Sequence, residues 1–427
     1  MKPLKVAVIG AGAAGLTAAR ELQRESLQVV VFEKSHQLGG TWAYDSRIES
    51  DLLGVDPNRD VVHSSLYKSL KANLPRELMS FTDFKFGEKI YNDPQMYPGH
   101  EEVLKFLKDF ASHFELTQLI RFNTMVTRVE VVDHSGITEF VVESNTNGVN
   151  SMEVYDAVVV CNGHTTQPRL PTDIPGIKTW SRKQIHSHNY RVPEPFRDEI
   201  VVVIGSGPSG VDISKEIAMV AKEVHMSSRS PLVKLGKSDK FNNMWHHSKI
   251  KCIKKVGSVT FEDGISVDAD TILYCTGYKL HVPFLKTNGI VSVEDKRIAP
   301  LYKHVFPPQL APQLSFVGIA EKTFPFLLVE CQSRWIAHVL SKKVSLPSED
   351  EMLSEVIKQY EEMKEKGLPK HATHQLGYQL DYIEWMWAQT GMVVEKHIKD
   401  MVEYLVHCLV TTGLDEFLDV FSQKYGS

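Results

Sequence analysis

Two stretches of this chain carry the same punctuation: a β-branched run, glycines spaced G-x-G-x-x-G, and then a helical pattern. The first is Val6-Ala-Val-Ile-Gly10-Ala-Gly12-Ala13-Ala14-Gly15, followed after a helix by Val29-Val-Val-Phe-Glu33. The second is Ile200-Val-Val-Val-Ile-Gly205-Ser206-Gly207-Pro208-Ser209-Gly210, with a helix to about Met219 and a strand around Glu223 to Met226. Glycines there let the turn tighten, let backbone N–H groups approach a pyrophosphate and let helix pack closely on strand, while the helix N-terminus adds positive potential. One such loop is weak evidence, but each here follows a strand pattern and opens a helical one. Two of them predict an α/β fold with two Rossmann-like dinucleotide-binding domains.

The ends of the second strands tell the two units apart. Glu33 lies 18 residues after Gly15, where an acidic side chain accepts hydrogen bonds from ribose hydroxyls. Counting 23 residues from the first glycine of each unit reaches Glu33 in one and Ser228, followed by Arg229, in the other. A carboxylate repels a 2′-phosphate, whereas a hydroxyl and a guanidinium bind one. The first unit therefore reads as an FAD site and the second as an NADPH site. The plainer alternative for Arg229 is a solvated cation at a strand end.

Further buried-strand runs, Ala157 to Val160 and Thr271 to Tyr274, alternate with helical patterns at Ala14 to Gln23, His100 to Phe114 and Ser209 to Ala221. Pro- and Gly-rich joints at His164 to Pro175 and at Thr276 to Pro283 bracket an insert. The expected organisation is a first part of the FAD domain over 1–170, an inserted NADPH domain over 171–280, the second part of the FAD domain over 281–345, and a mostly helical C-terminal region over 346–427. In that last region Asp350 to Lys366 carries Glu/Lys pairs at helical spacing, and Trp385 to Tyr425 has a polar and an apolar face.

A net charge of -5 and a pI near 6.4 argue against nucleic acid as a partner. Five cysteines, with no Cys-x-x-Cys pair, point to a reducing compartment. No run approaches the roughly 18 apolar residues of a membrane-spanning helix, so no integral membrane segment is expected and the cytoplasm is the expected location. The sequence sets no oligomeric state. Its 18 histidines show no His-Glu-x-x-His or similar spacing, and no metal is expected. From Arg229 to Lys255 the chain holds eight Lys/Arg against the single acid Asp239. That stretch is either a solvated basic face or an electrostatic funnel for an anionic cofactor or substrate.

Several further segments resemble the flavin-containing monooxygenase family, and especially its plant S-oxygenase branch, over roughly residues 3 to 385. Glu33-Lys34 with Gly39-Gly40-Thr41-Trp42 is similar to the family segment closing over FAD. Ser69 to Met79 resembles the segment that supplies its active-site asparagine, here Asn73, and Cys161-Asn-Gly-His164 resembles its strand-exit loop. His186 and Tyr190 fit the signature Phe-x-Gly-x-x-x-His-x-x-x-(Phe/Tyr), and Cys275-Thr276-Gly277-Tyr278 resembles the Ala-Thr-Gly-Tyr motif joining its nucleotide domains. Pro300 to Pro307 and Gln332-Ser-Arg-Trp335 resemble the plant branch. Two positions depart from the signature: Trp180 stands for its first aromatic and Arg182 for its glycine. A long cation lacks glycine's close backbone approach, which bears on the local NADP contact and on the coupling of reduction to oxygenation.

The resemblance implies that NADPH reduces FAD, that O₂ forms a C4a-hydroperoxyflavin, and that a soft nucleophile takes its distal oxygen. A small thioether, an S-alk(en)yl cysteine or a methylthioalkyl compound, is the expected substrate beside O₂. On this reading Asn73 orients nicotinamide or flavin through its amide, with a turn or capping role as the alternative. Gln332 faces the flavin or is an ordinary helical glutamine, and His186 and Tyr190 support the NADP loop or transfer a proton. A disulfide reductase needs paired cysteines that are missing. N-oxygenation, N-hydroxylation, Baeyer-Villiger chemistry and an uncoupled NADPH oxidase or flavin-binding sensor are the other readings.

Overall fold

The computed structural model describes residues 3–86, 93–134, 136–230, 233–254, 257–413 and 416–426. Its chain divides into two units. The first gathers Met1–Ala43, Lys71–His164 and Leu280–Val402, and the second gathers Tyr44–Leu70, Thr165–Lys279 and Glu403–Ser427.

The first unit is built on a five-stranded parallel sheet in the order Leu314–Phe316, Ala157–Val160, Lys5–Ile9, Gln28–Phe32, Ile120–Arg121. Val6, Ala7 and Val8 are fully buried, so the central strand is covered on both faces and reads as an apolar run rather than an alternation. Helix Ala13–Arg24 follows it and packs on helix Pro325–Leu340. A four-stranded sheet of the same unit sets Leu285–Lys286 parallel to Thr124–His134, followed antiparallel by Ile137–Thr146 and Val149–Tyr155. Asn147 (φ 51°) and Gly148 (φ 90°) turn its second hairpin in left-handed conformations. That Asn-Gly pair between two strand-like runs was the signal from which this hairpin could have been foreseen.

In the second unit six strands run in the order Gly236–Lys237, Met244–His247, Glu223–Ser227, Ile200–Ile204, Thr271–Tyr274, Lys183–His186, all pairs parallel but the first. Along its central strand Val201 and Val203 enter one hydrophobic cluster, while Val202 and Ile204 enter another. The period-two alternation of a strand thus feeds two cores, one on each face.

The chain crosses between units at His164/Thr165 and Lys279/Leu280, inside the two expected joints. Gln167–Pro168 and Tyr278–Lys279, beside those crossings, pair with each other antiparallel. Tyr44–Leu70 departs from the expected organisation, because it belongs to the second unit. Its anchor is polar: the buried Glu49 carboxylate meets His188 Nε2 at 3.1 Å and accepts from Arg59 Nε at 2.7 Å. Burial works against its ionisation, but those two partners hold Glu49 below the usual carboxylate range. Buried Arg191 adds hydrogen bonds to the carbonyls of Asp45, Arg47 and Ser64. No apolar period marks such a segment, so hydrophobic patterning passes over it.

The C-terminal helices are Glu349–Glu365, Asp381–Gln389, Lys396–Thr412 and Phe417–Tyr425, with Leu414 and Asp415 outside the described residues. The first opens on a capping box between Ser348 and Glu351. Residues from 346 onward do not form one body, since the division between units falls after Val402.

In the first unit the two packed helices share a buried ion network. Arg20, 1% exposed, donates to Glu21 at 2.8 Å, Asp83 at 2.7 Å and Glu330 at 2.9 Å. Arg334 reaches the other oxygen of Glu21 at 3.1 Å, and Thr82 donates to Glu330 through both its N–H and its hydroxyl. Phe110 and Phe114 lie 5.0 and 5.2 Å from the Arg20 guanidinium. Half-exposed Arg24 pairs with Glu21 and Asp83 at the outer end, so three cations meet three carboxylates, the condition under which buried ions are tolerated.

Candidate active site

The two glycine loops have the same anatomy. Gly10 and Gly205 leave their strands at φ 106° and 112°, a region open to glycine. A Cβ on Gly10 would lie 2.5 Å from the Cys161 carbonyl oxygen, and one on Gly205 would lie 2.4 Å from that of Cys275. A Cβ on Gly15 would lie 1.7 Å from the Gly10 oxygen, and one on Gly210 would lie 2.0 Å from the Gly205 oxygen. Backbone therefore packs on backbone at both turns.

Both loops open helices whose first turns lack side-chain caps. Helices Ala13–Arg24 and Pro208–Ala218 start from Gly12 and Gly207, with no side-chain cap and no acid in the first turn. Helix Glu349–Glu365, by contrast, has three first-turn acids and a capping box. Uncapped N–H groups with positive potential suit a pyrophosphate.

At the first loop Glu33, 5% exposed, accepts from the N–H groups of Ala11 and Ser35, each at 2.8 Å. Two motifs distant in sequence meet here, because a Cβ on Gly40 would lie 2.8 Å from the Gly12 Cα and Gly39 N–H donates to the Ala11 carbonyl at 2.9 Å. Thr41 and Trp42 continue that short turn and are half-buried, as are Ala13 and Ala14, while Lys34 is exposed. These residues fit a dinucleotide: a close backbone turn, free helix donors and a buried acceptor.

At the second loop the hydroxyls of Ser206 and Ser228 meet at 2.6 Å, and Ser228 Oγ also accepts from Ser230 N–H at 3.0 Å. Arg229 is exposed at the strand end; Pro208 is exposed and Ser209 half-buried. Nothing lies within 4 Å of the Cβ direction of Gly207, so the loop is open where a phosphate would approach.

Several expectations need correction. Arg182 is not beside the second loop. Lys183 pairs in register with Thr271 at the start of its strand, whereas the loop abuts Cys275 just past the strand's end. Arg182 instead donates to Asp268 at 2.8 Å and to the Ala269 carbonyl at 2.7 Å, clipping the outer hairpin. The signature's departure at this position is therefore structural, and Arg182→Ala is expected to leave the KM for NADPH within about twofold. A shift above tenfold in steady-state assays would contradict that placement.

Gln332 does not face an open site. It is fully buried, accepting from Gly318 N–H at 2.9 Å and donating to the Tyr382 hydroxyl at 2.8 Å. It acts through Gly318, whose Cβ direction meets the Ala14 methyl at 3.7 Å.

His186 and Tyr190 are internal supports. His186 Nδ1 accepts from His188 N–H at 3.1 Å, which leaves its Nε2–H for the Gly277 carbonyl at 3.1 Å. Burial and the neighbouring His188 hold it down to about 3, so it stays neutral. Tyr190 donates to Glu216 at 2.7 Å, and burial pushes its phenol far above the usual range.

Thr276, Gly277 and Tyr278 brace the crossing strands: Thr276 Oγ1 donates to the Arg169 carbonyl, and Gly277 O accepts from Arg169 N–H at 2.9 Å. Tyr278 meets the His186 and His188 rings edge-on. Asn73 is exposed and caps no helix, since the short helical turn Arg76–Met79 starts from Pro75.

The basic stretch is largely spent locally. Lys234, Lys240 and Lys249 pair with Asp239, Asp419 and Glu262 at 3.0, 3.2 and 3.1 Å, and Lys237 lies over Trp245. This favours the solvated face; Lys255 lies outside the described residues. All five cysteines are free, and burial pushes the Cys161 and Cys275 thiols up, away from redox chemistry. Among the described residues no cluster of metal ligands is found and no helix is long and apolar enough to cross a membrane.

The model of the FMO-like family, "Flavin-binding monooxygenase-like", matches residues 3–245 and 242–402. Flavin-containing monooxygenase FMO GS-OX5 of Arabidopsis thaliana is 50% identical over 394 residues, covering 91% of this chain and 85% of the relative. FMO GS-OX-like 2 of the same plant is 52% identical over 389 residues, covering 89% and 83%. The solved structure of S-allyl-L-cysteine S-oxygenase from Allium sativum superposes with a TM-score of 0.93 at 47% identity, over 98% of this chain and 95% of that one. The uncapped twin loops, the contrasting strand ends and these likenesses agree: the chain belongs to the flavin-containing monooxygenase family, oxidoreductases that work with FAD and NADP(H).

Proposed function

We propose that this enzyme uses NADPH and O₂ to place one oxygen atom on the sulfur of a small thioether, giving the sulfoxide. The contrasting strand ends carry the cofactor order. FAD is held at the first loop by the turn at Gly10 and the N–H groups from Gly12 to Gly15, with Glu33 accepting from its ribose and Gly40, Thr41 and Trp42 closing over it. NADPH is held at the second loop by the N–H groups of Ser206, Gly207, Ser209 and Gly210, with Ser228 and Arg229 on its 2′-phosphate. FAD, when bound, takes the hydride of NADPH and activates O₂ for transfer.

The remaining residues position these groups. Asn73 offers an amide that no helix cap consumes, suited to orienting nicotinamide or flavin. Gln332 fixes Gly318 beside the first loop, and His186 and Tyr190 stiffen the second unit. Sulfur as the acceptor is supported by the likeness to S-allyl-L-cysteine S-oxygenase over 98% of the chain.

Purified protein given NADPH, O₂ and S-allyl-cysteine should form the sulfoxide, read by mass spectrometry. NADPH oxidation that yields only hydrogen peroxide across thioethers sinks the S-oxygenase reading, and oxidation of amines alone redirects it to N-oxygenation. Arg229→Ala should raise the KM for NADPH by ~10-fold to ~100-fold while sparing NADH, through the loss of charge-assisted hydrogen bonds. Equal loss with both would sink the 2′-phosphate assignment.

A further inference from the structure

Beneath the Ser228–Arg229 strand end lies a group of side chains with no role so far. His225 Nδ1 and His247 Nε2 face each other at 3.0 Å, and the outer nitrogens face carboxylates, His225 Nε2 to Glu223 at 3.2 Å and His247 Nδ1 to Asp263 at 3.0 Å. The rings are 5% and 1% exposed. Trp245 stacks on His225 at 5.0 Å and Phe261 stacks on His247 at 4.1 Å.

Counting hydrogens decides the charge. An ionised carboxylate only accepts, so both outer nitrogens must donate. Two neutral imidazoles have then spent their only N–H groups, and the central contact sets lone pair against lone pair. The 3.0 Å contact closes as a hydrogen bond only when the pair holds a third hydrogen, which makes it one imidazolium.

Geometry sets the charge toward the His247 end, whose carboxylate partner Asp263 lies at 3.0 Å against 3.2 Å between His225 and Glu223, while burial pushes His225 below the usual imidazole range, against Glu223 and with His247. The Phe261 face lies flat on His247, 9° from parallel, an arrangement that attracts a cation. Asp263 is held ionised: burial pushes its carboxyl up, but N–H donors and His247 bring it below its usual range. Charged groups beside this stack among the described residues include Lys237 over Trp245 and the Lys249–Glu262 pair; His246 occupies the opposite face of the strand.

The stack is coupled to the cofactor loop by backbone. The His247 carbonyl accepts from Ser228 N–H at 3.0 Å, and Ser227 Oγ donates to the next carbonyl, that of Ser248, at 3.1 Å. We propose that His225 and His247 share one extra proton, and that this buried cation positions Ser228 and raises the local potential for a dianionic 2′-phosphate, making the pair a determinant of NADPH over NADH. Without the proton the four groups carry two negative charges under a strand end that receives a dianion; with it they carry one. The inference rests on the assignment of NADPH to the second loop.

Nitrogen-15 NMR of histidine-labelled protein, with the pair assigned through single variants, reads the charge state on the unaltered chain. Three protonated nitrogens out of the pair's four at pH 7 are expected, and two neutral rings overturn the proposal. His247→Gln should raise the KM for NADPH about fivefold and that for NADH less than twofold. His225→Gln, which removes the other ring of the pair and leaves both carboxylates, should act in the same direction and decides the matter if the first variant does not fold. Equal changes with both cofactors overturn the positioning role. Arg229→Ala measured alongside separates the two ideas: if it leaves the NADPH-to-NADH preference intact, the cofactor assignment has failed whatever the spectra show.

Discussion

Replacing Glu330 with alanine should destabilise the protein by about 3 to 5 kcal/mol, because removing one member of a buried ion pair leaves its partner charged and unmatched. Glu330 is 0% exposed and accepts from the Arg20 guanidinium at 2.9 Å and from the Thr82 hydroxyl at 2.6 Å. Its loss strands Arg20 among Phe81, Phe110 and Phe114 and leaves Thr82 N–H without its acceptor. Urea unfolding followed by fluorescence is the measurement. A loss below ~1 kcal/mol would mean that water reaches the network or that Glu21 and Asp83 suffice. Replacing Arg20 together with Glu330 by apolar residues of similar volume should cost less than the single change, since the desolvation of both ions disappears with them.

The second large effect belongs to Gly15. A methyl group there would stand 1.7 Å from the Gly10 carbonyl oxygen, a backbone atom that moves only if the whole turn moves. Gly15→Ala should therefore open the first loop, with an overpacking cost of about 3 kcal/mol and at least ~100-fold weaker flavin retention. The purified variant should be colourless where the parent protein is yellow. Gly207→Ala makes the contrast: with nothing within 4 Å of its Cβ direction, it should fold normally and lose only affinity for NADPH. A yellow Gly15→Ala with unchanged flavin content would refute the packing argument for the first loop.

The parts of this fold that could be read in advance were those driven by burial and by glycine. Val6 to Ile9 and Ile200 to Ile204 are strands because both faces are covered, and their apolar runs say so directly. The loops were legible because close backbone approach admits no Cβ. What stayed hidden was polar or long-range. The attachment of 44–70 depends on Glu49 meeting His188, 139 residues away, and the shared ion network depends on Arg20 meeting Glu330, 310 residues away; neither leaves a local period. Arg182 shows the converse error. A motif position was taken to imply nearness to the loop, but register puts it at the opposite end of the strand. For Gln332 the sequence leaves open a flavin-facing or an ordinary helical side chain, and its amide is consumed by Gly318 and Tyr382.

The anchoring of 44–70 has a consequence for modularity. Gln167–Pro168 and Tyr278–Lys279 are zipped together, which makes the span between them resemble a cassette that could be exchanged between homologous enzymes at two splice points. It is not one. Cutting there would leave His188 and Arg191 without Glu49 and the carbonyls of Asp45, Arg47 and Ser64, and would part Lys240 from Asp419. A graft of this nucleotide-binding unit must carry three separate pieces of chain, so recombination among relatives should succeed only where all three come from the same parent.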